Sequence, residues 1–322
     1  MNTTSKLLLR LSRWLGILLV AIVVLWIAQQ VLLKPVIEAV STKVIGARVA
    51  IGSFSFNILT HKIRLTNLQI YNEEGFPPKV FFNASEILVD IDLLQAIQGK
   101  LHFPLIVFDL DKMIVFKNPQ GKMNVNELKI VQEKLHEKTK GPLPNFKIDE
   151  LRLNIEQVIL EDDGKTPALI EAYDLNLKNK TIRNINGVPK LIGLVMFEAV
   201  KPMAIQSAGL YAATTLLGVG FLPGLAIGVA VANDEAVTQM PNSFGQLYQQ
   251  CLDLVKRLNG RIKKTDAPAG HIWAKVYDCD IFFSIQDQGW GKAKITIKAR
   301  KYFLARPEIA AGLLYQLKGG GK

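Results

Sequence analysis

Asp109 and Asp111 flank Leu110 in a D-x-D, a spacing that lets two carboxylates hold a divalent cation. The pair sits inside the apolar pattern Phe108, Leu110, Met113, Val115, so it occupies polar positions on the outward side of a strand. Asp90 and Asp92 have the same explanation, and no metal is expected at either pair. His61, His102, His136 and His271 are scattered, without an H-x-x-x-H or C-x-x-C companion. There is no G-x-S-x-G elbow, no P-loop and no G-x-G-x-x-G after a strand. The chain reads as a non-enzyme that uses no cofactor. Its two cysteines are Cys251 and Cys279. Cys251 falls on the apolar face of an expected helix with Phe244, Leu247, Tyr248, Val255 and Leu258, which suits a buried thiol; a single disulfide is the alternative.

What remains is non-covalent chemistry. Lys292, Lys294, Lys298 and Arg300 share one face of an expected strand, with Ala293, Ile295, Ile297 and Ala299 on the other. The basic face is either a solvated surface or a site for anionic lipid headgroups or another polyanion. Trp273 and Trp290 could interleave with these charges, but no RNP-like or helix-turn-helix signature accompanies them, and no nucleic-acid partner is expected.

The second candidate surface is apolar. In "KIRLTNLQIYNEEG" the residues Ile63 and Leu65 alternate, the next apolar residue arrives one place late at Leu68, and Ile70 resumes the alternation. The pattern returns 45 residues later at Phe108, Leu110, Met113 and Val115, and after another 45 at Leu153, Ile155, Val158 and Leu160. Each copy runs into a polar turn containing glycine. A β-bulge in each strand would keep Leu68 and its counterparts on the apolar side, and equal spacing suggests one supersecondary unit used three times. "SEILVDIDL" places Ile87, Val89, Ile91 and Leu93 on one face of a further strand. Candidate lipid-facing residues are therefore Ile63, Leu65, Leu68, Ile70, Ile87, Val89, Ile91, Leu110, Met113 and Val115. Asn124 with Glu127 forms a capping box for a charged helix reaching about residue 140, with Leu128, Val131 and Leu135 as its apolar stripe.

Elements at both ends must place these surfaces. Residues 14–33 are 20 uncharged residues between Arg13 and Lys34, long enough to cross a hydrocarbon core as a signal anchor. Lys6, Arg10 and Arg13 precede them and favour a cytoplasmic N-terminus. Between Lys201 and Asp234 lie 32 more residues without a charge, with five glycines and Pro223. This stretch could span a membrane, enter it partly or form a buried helical hairpin. The formal net charge is +11, yet residues 34–200 are nearly neutral with 21 basic and 20 acidic residues. Residues 233–322 carry 14 basic and 8 acidic residues. The expected organisation is a leader and anchor over 1–34, a β domain over 35–200, an apolar helical segment over 201–233 and a basic α+β domain over 234–322.

The stretches "VAIGSFSFNILTHKIRLTNLQIYNEEGF" and "ASEILVDIDLLQAIQGKLHFPLIVFDLDKMIVFKNPQGKMNVNEL", following an apolar anchor, resemble the N-terminal region of the AsmA-like family of bacterial envelope proteins. The resemblance covers about residues 1–180 and rests on layout, with no catalytic residue in it. It implies a twisted, mainly antiparallel sheet with bulged strands and an apolar concave face, phospholipid transport and outer-membrane assembly. The ending "ITIKARKYFLARPEIAAGLLYQL" is similar to a small envelope family of unknown function. Roughly eight strands would stack to about 40 Å, too short for a groove across a whole bacterial envelope. The expected function is thus a membrane-anchored envelope protein that binds or guides phospholipid near the inner membrane, with its main domain in the periplasm. Its expected partners are membrane lipids and envelope proteins. The alternative is a structural or adaptor protein with a covered sheet, whose basic C-terminal domain binds a protein or polyanionic partner.

Overall fold

The phase slip at Leu68 belongs to a crease that crosses an entire sheet. The computed structural model describes residues 33–129, 131, 146–200, 235–302 and 304–320. Helix α1 (Lys34–Ile45) leads into strands β1 (Val49–Asn57), β2 (Lys62–Tyr71), β3 (Val80–Asp90), β4 (Leu101–Lys117), β5 (Phe146–Asp162) and β6 (Leu169–Asn186), which form one open sheet in sequence order. Pairing places four apolar rows across it. One row runs Val49, Ile70, Phe82, Met113, Val158, Tyr173, and the next Ile51, Leu68, Ala84, Leu110, Ile155, Leu177. The third and fourth rows run Phe54, Leu65, Ile87, Phe108, Leu153 and Phe56, Ile63, Val89, Ile106, Leu151.

The unpaired residues are Gly52, Asn67 and Ser85 between the second and third rows of β1 to β3, and Asp111 and Glu156 between the first and second rows of β4 and β5, so the crease steps by one row between β3 and β4. Asn67 adopts φ +49°, a left-handed conformation that asparagine tolerates better than most side chains. Gly52 faces it so closely that a Cβ there would lie 2.9 Å from the Asn67 Cβ. Because neighbours slip together, register is kept across the crease from β1 to β3 and from β4 to β5; it shifts at β3/β4 and β5/β6 near the crease, and at the Ile70/Tyr71 end of β2/β3. The separately bulged strands expected from the sequence are thus one shared fold line.

The 45-residue spacing of the second and third copies is the register of a parallel pair: Phe108 lies beside Leu153, Leu110 beside Ile155, Met113 beside Val158 and Val115 beside Leu160. The chain between Lys117 and Phe146 supplies the crossover that a parallel pair needs. This corrects the mainly antiparallel architecture expected above: the fold is α+β with a mixed sheet. Neither sheet closes on itself. Among the described residues no helix is long and apolar enough to cross a membrane. The described structure therefore gives no support to the expected transmembrane architecture or to the inner-membrane, periplasm-facing localisation, and neither is carried forward. Residues 14–32 and 203–232, on which both membrane segments were placed, lie outside the described residues.

Helix α1 runs along the free edge of β1. Glu38 Oε1 accepts the Ile51 N–H at 2.7 Å, Thr42 Oγ1 accepts the Val49 N–H at 3.0 Å, and Lys34 Nζ donates to the Gly52 carbonyl at 3.2 Å. Strand groups that would otherwise invite another chain are thereby occupied. Helix α2 (Leu93–Ile97) is capped by Asp92, whose carboxylate accepts the Gln95 N–H at 3.1 Å; Ile91 and Leu93 consequently lie beyond β3 instead of on its face. Helix α3 (Asn124–Glu127) has Asn124 inside it and buried, with no side-chain cap, so the expected capping box is not formed. The helix expected to continue toward residue 140 falls mostly outside the described residues.

Helix α4 (Val188–Val200) covers the apolar rows at β5 and β6: its Leu191 and Leu194 pack on the cluster of Ile87, Ile106, Ile148 and Leu151, while Val195, Met196 and Ala199 are buried in the main core. The second sheet is built from β7 (Glu235–Met240), β8 (Arg261–Asp266), β9 (His271–Val276), β10 (Cys279–Asp287), β11 (Ala293–Lys301) and β12 (Leu304–Ala305) in the order β12-β11-β10-β9-β8, with β7 also pairing β11. Helices α5 (Phe244–Arg257) and α6 (Pro307–Leu317) complete this part. A Ser243–Gln246 capping box starts α5 and secures two of its terminal donors. Cys251 and Cys279 are buried free thiols, and desolvation pushes Cys251 up to about 12.

Candidate functional site

Strict alternation makes the second sheet two-faced. Ile272, Ala274, Val276, Ile281, Phe283, Ile285, Ala293, Ile295, Ile297 and Ala299 are buried in the core with Leu247, Cys251 and Leu254 of α5 and Ile309 and Leu313 of α6. Their neighbours along each strand must point the other way. Four rows result on that outer face. The first joins Arg261, Lys275, Asp280 and Arg300; the second Lys264, Trp273, Phe282, Lys298 and Glu235. The third joins Asp266, His271, Ser284, Thr296 and Val237; the last Gln286, Lys294 and Gln239.

At the centre lies an aromatic ledge. The Trp273 and Phe282 ring centroids are 5.2 Å apart, and His271 is 5.5 Å from Trp273 and 5.2 Å from Phe282. All three rings are half-buried. Lys264 Nζ stands 5.2 Å from the Trp273 ring centroid, in cation–π range. The extra residue of a β8 bulge, Lys263, pairs with Asp280, and Lys298 pairs with Glu235 at 2.9 Å. Basic side chains outnumber acidic ones on this face, and the ledge gives them an apolar floor. Trp290, at the tip of the β10–β11 hairpin, is 99% exposed.

Of the four basic residues singled out in sequence, Lys294, Lys298 and Arg300 share this outer face, while Lys292 lies in the turn before β11. Lys264, Lys275, His271 and Phe282 were not assigned to a site. The alternation of "HIWAKV" and "DIFFSIQD" was the signal that could have placed them beside β11.

The apolar candidates fare differently. Leu110, Met113 and Val115 are 1%, 1% and 0% exposed, Ile70 and Ile87 are also buried, and Ile63, Leu65, Leu68 and Val89 are half-buried within the rows. Ile91 lies outside the strand. The chain's own helix covers the trough where these rows meet β5 and β6. With that, and with no membrane-crossing helix among the described residues, the lipid-guiding, membrane-anchored reading is withdrawn.

The D-x-D and His102 of the first sheet are engaged within it. At the crease, a pocket of about 500 Å³ is lined by Asp109, Asp111, Asn154, Glu156, Lys178 and Asn179 among others. Asp109 accepts from Asn154 and Asp111 from Asn83, so both carboxylates of the D-x-D are engaged by amides. His102 is held between two acids, Nδ1 at 3.2 Å from Asp92 and Nε2 at 2.8 Å from Asp149, joining the α2 cap to β5. Its hydrogen bond to Asp92, then that to Asp149, raises its pKa above the usual 6.5. Hydrogen bonds from the Gln95 amide and His102 lower Asp92, and those from Lys147 and His102 lower Asp149, below 3.8. The histidine's contribution is complete below about pH 6.5 and fades as pH rises through its raised value. The acids contribute fully above about pH 3.8 and fade as pH falls through their lowered values. Melting temperatures of wild type and His102→Asn, compared from acid to alkaline pH, should show the wild-type margin shrinking above about pH 6.5. A margin independent of pH would mean that the clamp is not ionic.

Compared with known proteins, the sequence matches no family model and no curated protein. The resemblance of residues 1–180 to the AsmA-like family therefore rests on layout alone.

Proposed function

We propose that the protein is a non-catalytic adaptor: the first sheet, its apolar rows covered by helix α4 at β5 and β6, is the scaffold, and the outer face of the second sheet binds an acidic partner. The observation that carries this reading is the row Lys264, Trp273, Phe282, Lys298, two aromatic rings between two lysines on the face opposite α5 and α6. Aromatic rings provide contact area at small entropic cost, and surrounding cations steer an anionic partner and set its orientation. On the first sheet, by contrast, Leu110, Met113 and Val115 are buried in the core, and Asp109 and Asp111 are engaged by amides.

Three lysines of the face, Lys264, Lys275 and Lys294, lie away from the buried core and can be reversed together. Exposed charge pairs are worth about 0.5 kcal/mol each, so Lys264→Glu, Lys275→Glu and Lys294→Glu combined should weaken binding of polyphosphate or polyglutamate at least tenfold at low salt. Wild-type binding should itself decline steeply with ionic strength. Calorimetric titration measures both, and thermal melting checks that the triple variant is folded. Unchanged affinity in a folded triple variant would remove the adaptor reading.

A further inference from the structure

We infer that the partner taken by this face is an anionic glycan, an inference that rests on the adaptor reading. Three features separate sugar from the other polyanions. First, His271, Trp273 and Phe282 are packed against one another at 5.2–5.5 Å between centroids and at interplanar angles of 40–78°, giving one joined apolar patch instead of parallel platforms. Successive nucleic-acid bases stack on successive aromatic faces; a sugar ring needs one ring face, such as that of Trp273, for its C–H groups. Second, the rows beside the ledge carry Ser284, Thr296, Gln286 and Gln239, side chains that donate and accept and so match hydroxyl groups. Third, Asp280, Asp266 and Glu235 lie among the cations. A strand with a phosphate on every nucleotide would meet these carboxylates repeatedly, whereas a sugar chain can turn hydroxyls toward them and its acidic groups toward Lys264 and Lys294. Trp290 stands at the hairpin tip beyond the last row. The four rows lie two residues apart along each strand, so the face is about 20 Å long.

The test is calorimetric titration of the full chain with oligogalacturonates of increasing length, neutral dextran, polyglutamate and a single-stranded oligothymidylate. Oligogalacturonate should bind and dextran should not. Affinity should climb with oligomer length and level off once the face is spanned. Trp273→Ala should lose at least tenfold for oligogalacturonate, and Ser284→Ala with Thr296→Ala severalfold, while polyphosphate binding by the latter pair stays within twofold. If Trp273→Ala melts early, Trp273→Leu, which keeps bulk but removes the ring, takes its place with the same expected loss. Tighter, Trp273-dependent binding of oligothymidylate or polyglutamate, with oligogalacturonate silent, would overturn the glycan inference and leave the adaptor reading standing. Failure of every polyanion to bind would overturn both.

Discussion

Gly312→Val should detach the C-terminal helix from the six-stranded sheet at a large loss of stability. Helix α6 crosses the start of β6 so closely that a Cβ at Gly312 would lie 2.0 Å from the Ile170 carbonyl oxygen, 2.8 Å from its carbonyl carbon and 3.3 Å from the Glu171 Cα. These are backbone atoms of a strand held from its other side by pairing of Ile170 with Glu161. The strand cannot yield, so the helix must lift by more than about 1 Å to restore a normal carbon–oxygen contact. Lifting it stretches the Arg306–Glu171 pair, 3.4 Å long at a carboxylate 1% exposed, which also accepts from the Tyr173 hydroxyl at 2.8 Å. It also pulls on the Tyr277 hydroxyl, which donates to the Ala168 carbonyl at 2.6 Å. Overpacking alone costs about 1–3 kcal/mol, and loosening a buried ion pair adds to it, so a loss of about 4 kcal/mol is expected. Denaturant unfolding of the full chain should move to a lower midpoint and split into two transitions as the halves uncouple. Gly245→Ala is the control: it too lies in a helix, but a Cβ there meets nothing within 4 Å, and its midpoint should hold or rise slightly. A Gly312→Val protein with the wild-type midpoint would show that this contact does not hold the halves together.

That junction could not be read from the sequence, because Gly312 sits within "PEIAAGLLYQL" as one small residue among several. Its role depends on which strand the helix crosses. The helix itself was legible from Pro307, a favourable first-turn residue, and so was the two-faced character of β11 from its alternation. The crease was half legible. Three copies of the slipped pattern are legible in the sequence; Val49, Ile51, Phe54, Phe56 and Phe82, Ala84, Ile87, Val89 follow the same spacing, but "SEILVDIDL" taken alone reads as plain alternation. Once all five are aligned, the 45-residue interval becomes a parallel register, and His102 falls opposite Lys147 with Asp149 two residues along the same face. The acidic clamp on His102 was thus implicit in the repeat. Burial was not, since alternation says which residues share a face but not whether a helix such as α4 lies over it.

Asn124→Leu should also destabilise the fold, although it replaces a polar residue in the core with an apolar one. Strand β3 begins at Val80 and its pairing to β4 stops at Phe82 and Met113, so among the described residues no strand pairs with the edge of β4 beyond Met113 on that side. The Asn124 side-chain amide fills the vacancy as a peptide group would. Its Oδ1 accepts the Phe116 N–H at 3.0 Å and the Val125 N–H at 2.9 Å; its Nδ2 donates to the Ile114 carbonyl at 3.1 Å and to Asn72 Oδ1 at 2.8 Å. Asn124 is 3% exposed, and Ile114 and Phe116 are buried beside it. Leucine would strand the Phe116 N–H and the Ile114 carbonyl away from water, at about 1–3 kcal/mol for each. The gain from burying a larger apolar side chain, about 1.5–3 kcal/mol, offsets only part of this. A net loss of about 2 kcal/mol is therefore expected. Asn124→Asp separates the two halves of the argument. It retains the acceptor for Phe116 and Val125 but turns a donor into an oxygen facing the Ile114 carbonyl and Asn72, so a charged carboxylate there is penalised by both burial and repulsion. Its folded pKa must then lie above the ordinary value, and stability should rise as pH falls toward that value, a dependence that Asn124→Leu lacks. Denaturant midpoints at neutral and acid pH for the two variants measure the difference. Equal midpoints for wild type and Asn124→Leu would mean that the exposed edge of β4 finds other partners, and that the amide is not what closes the sheet.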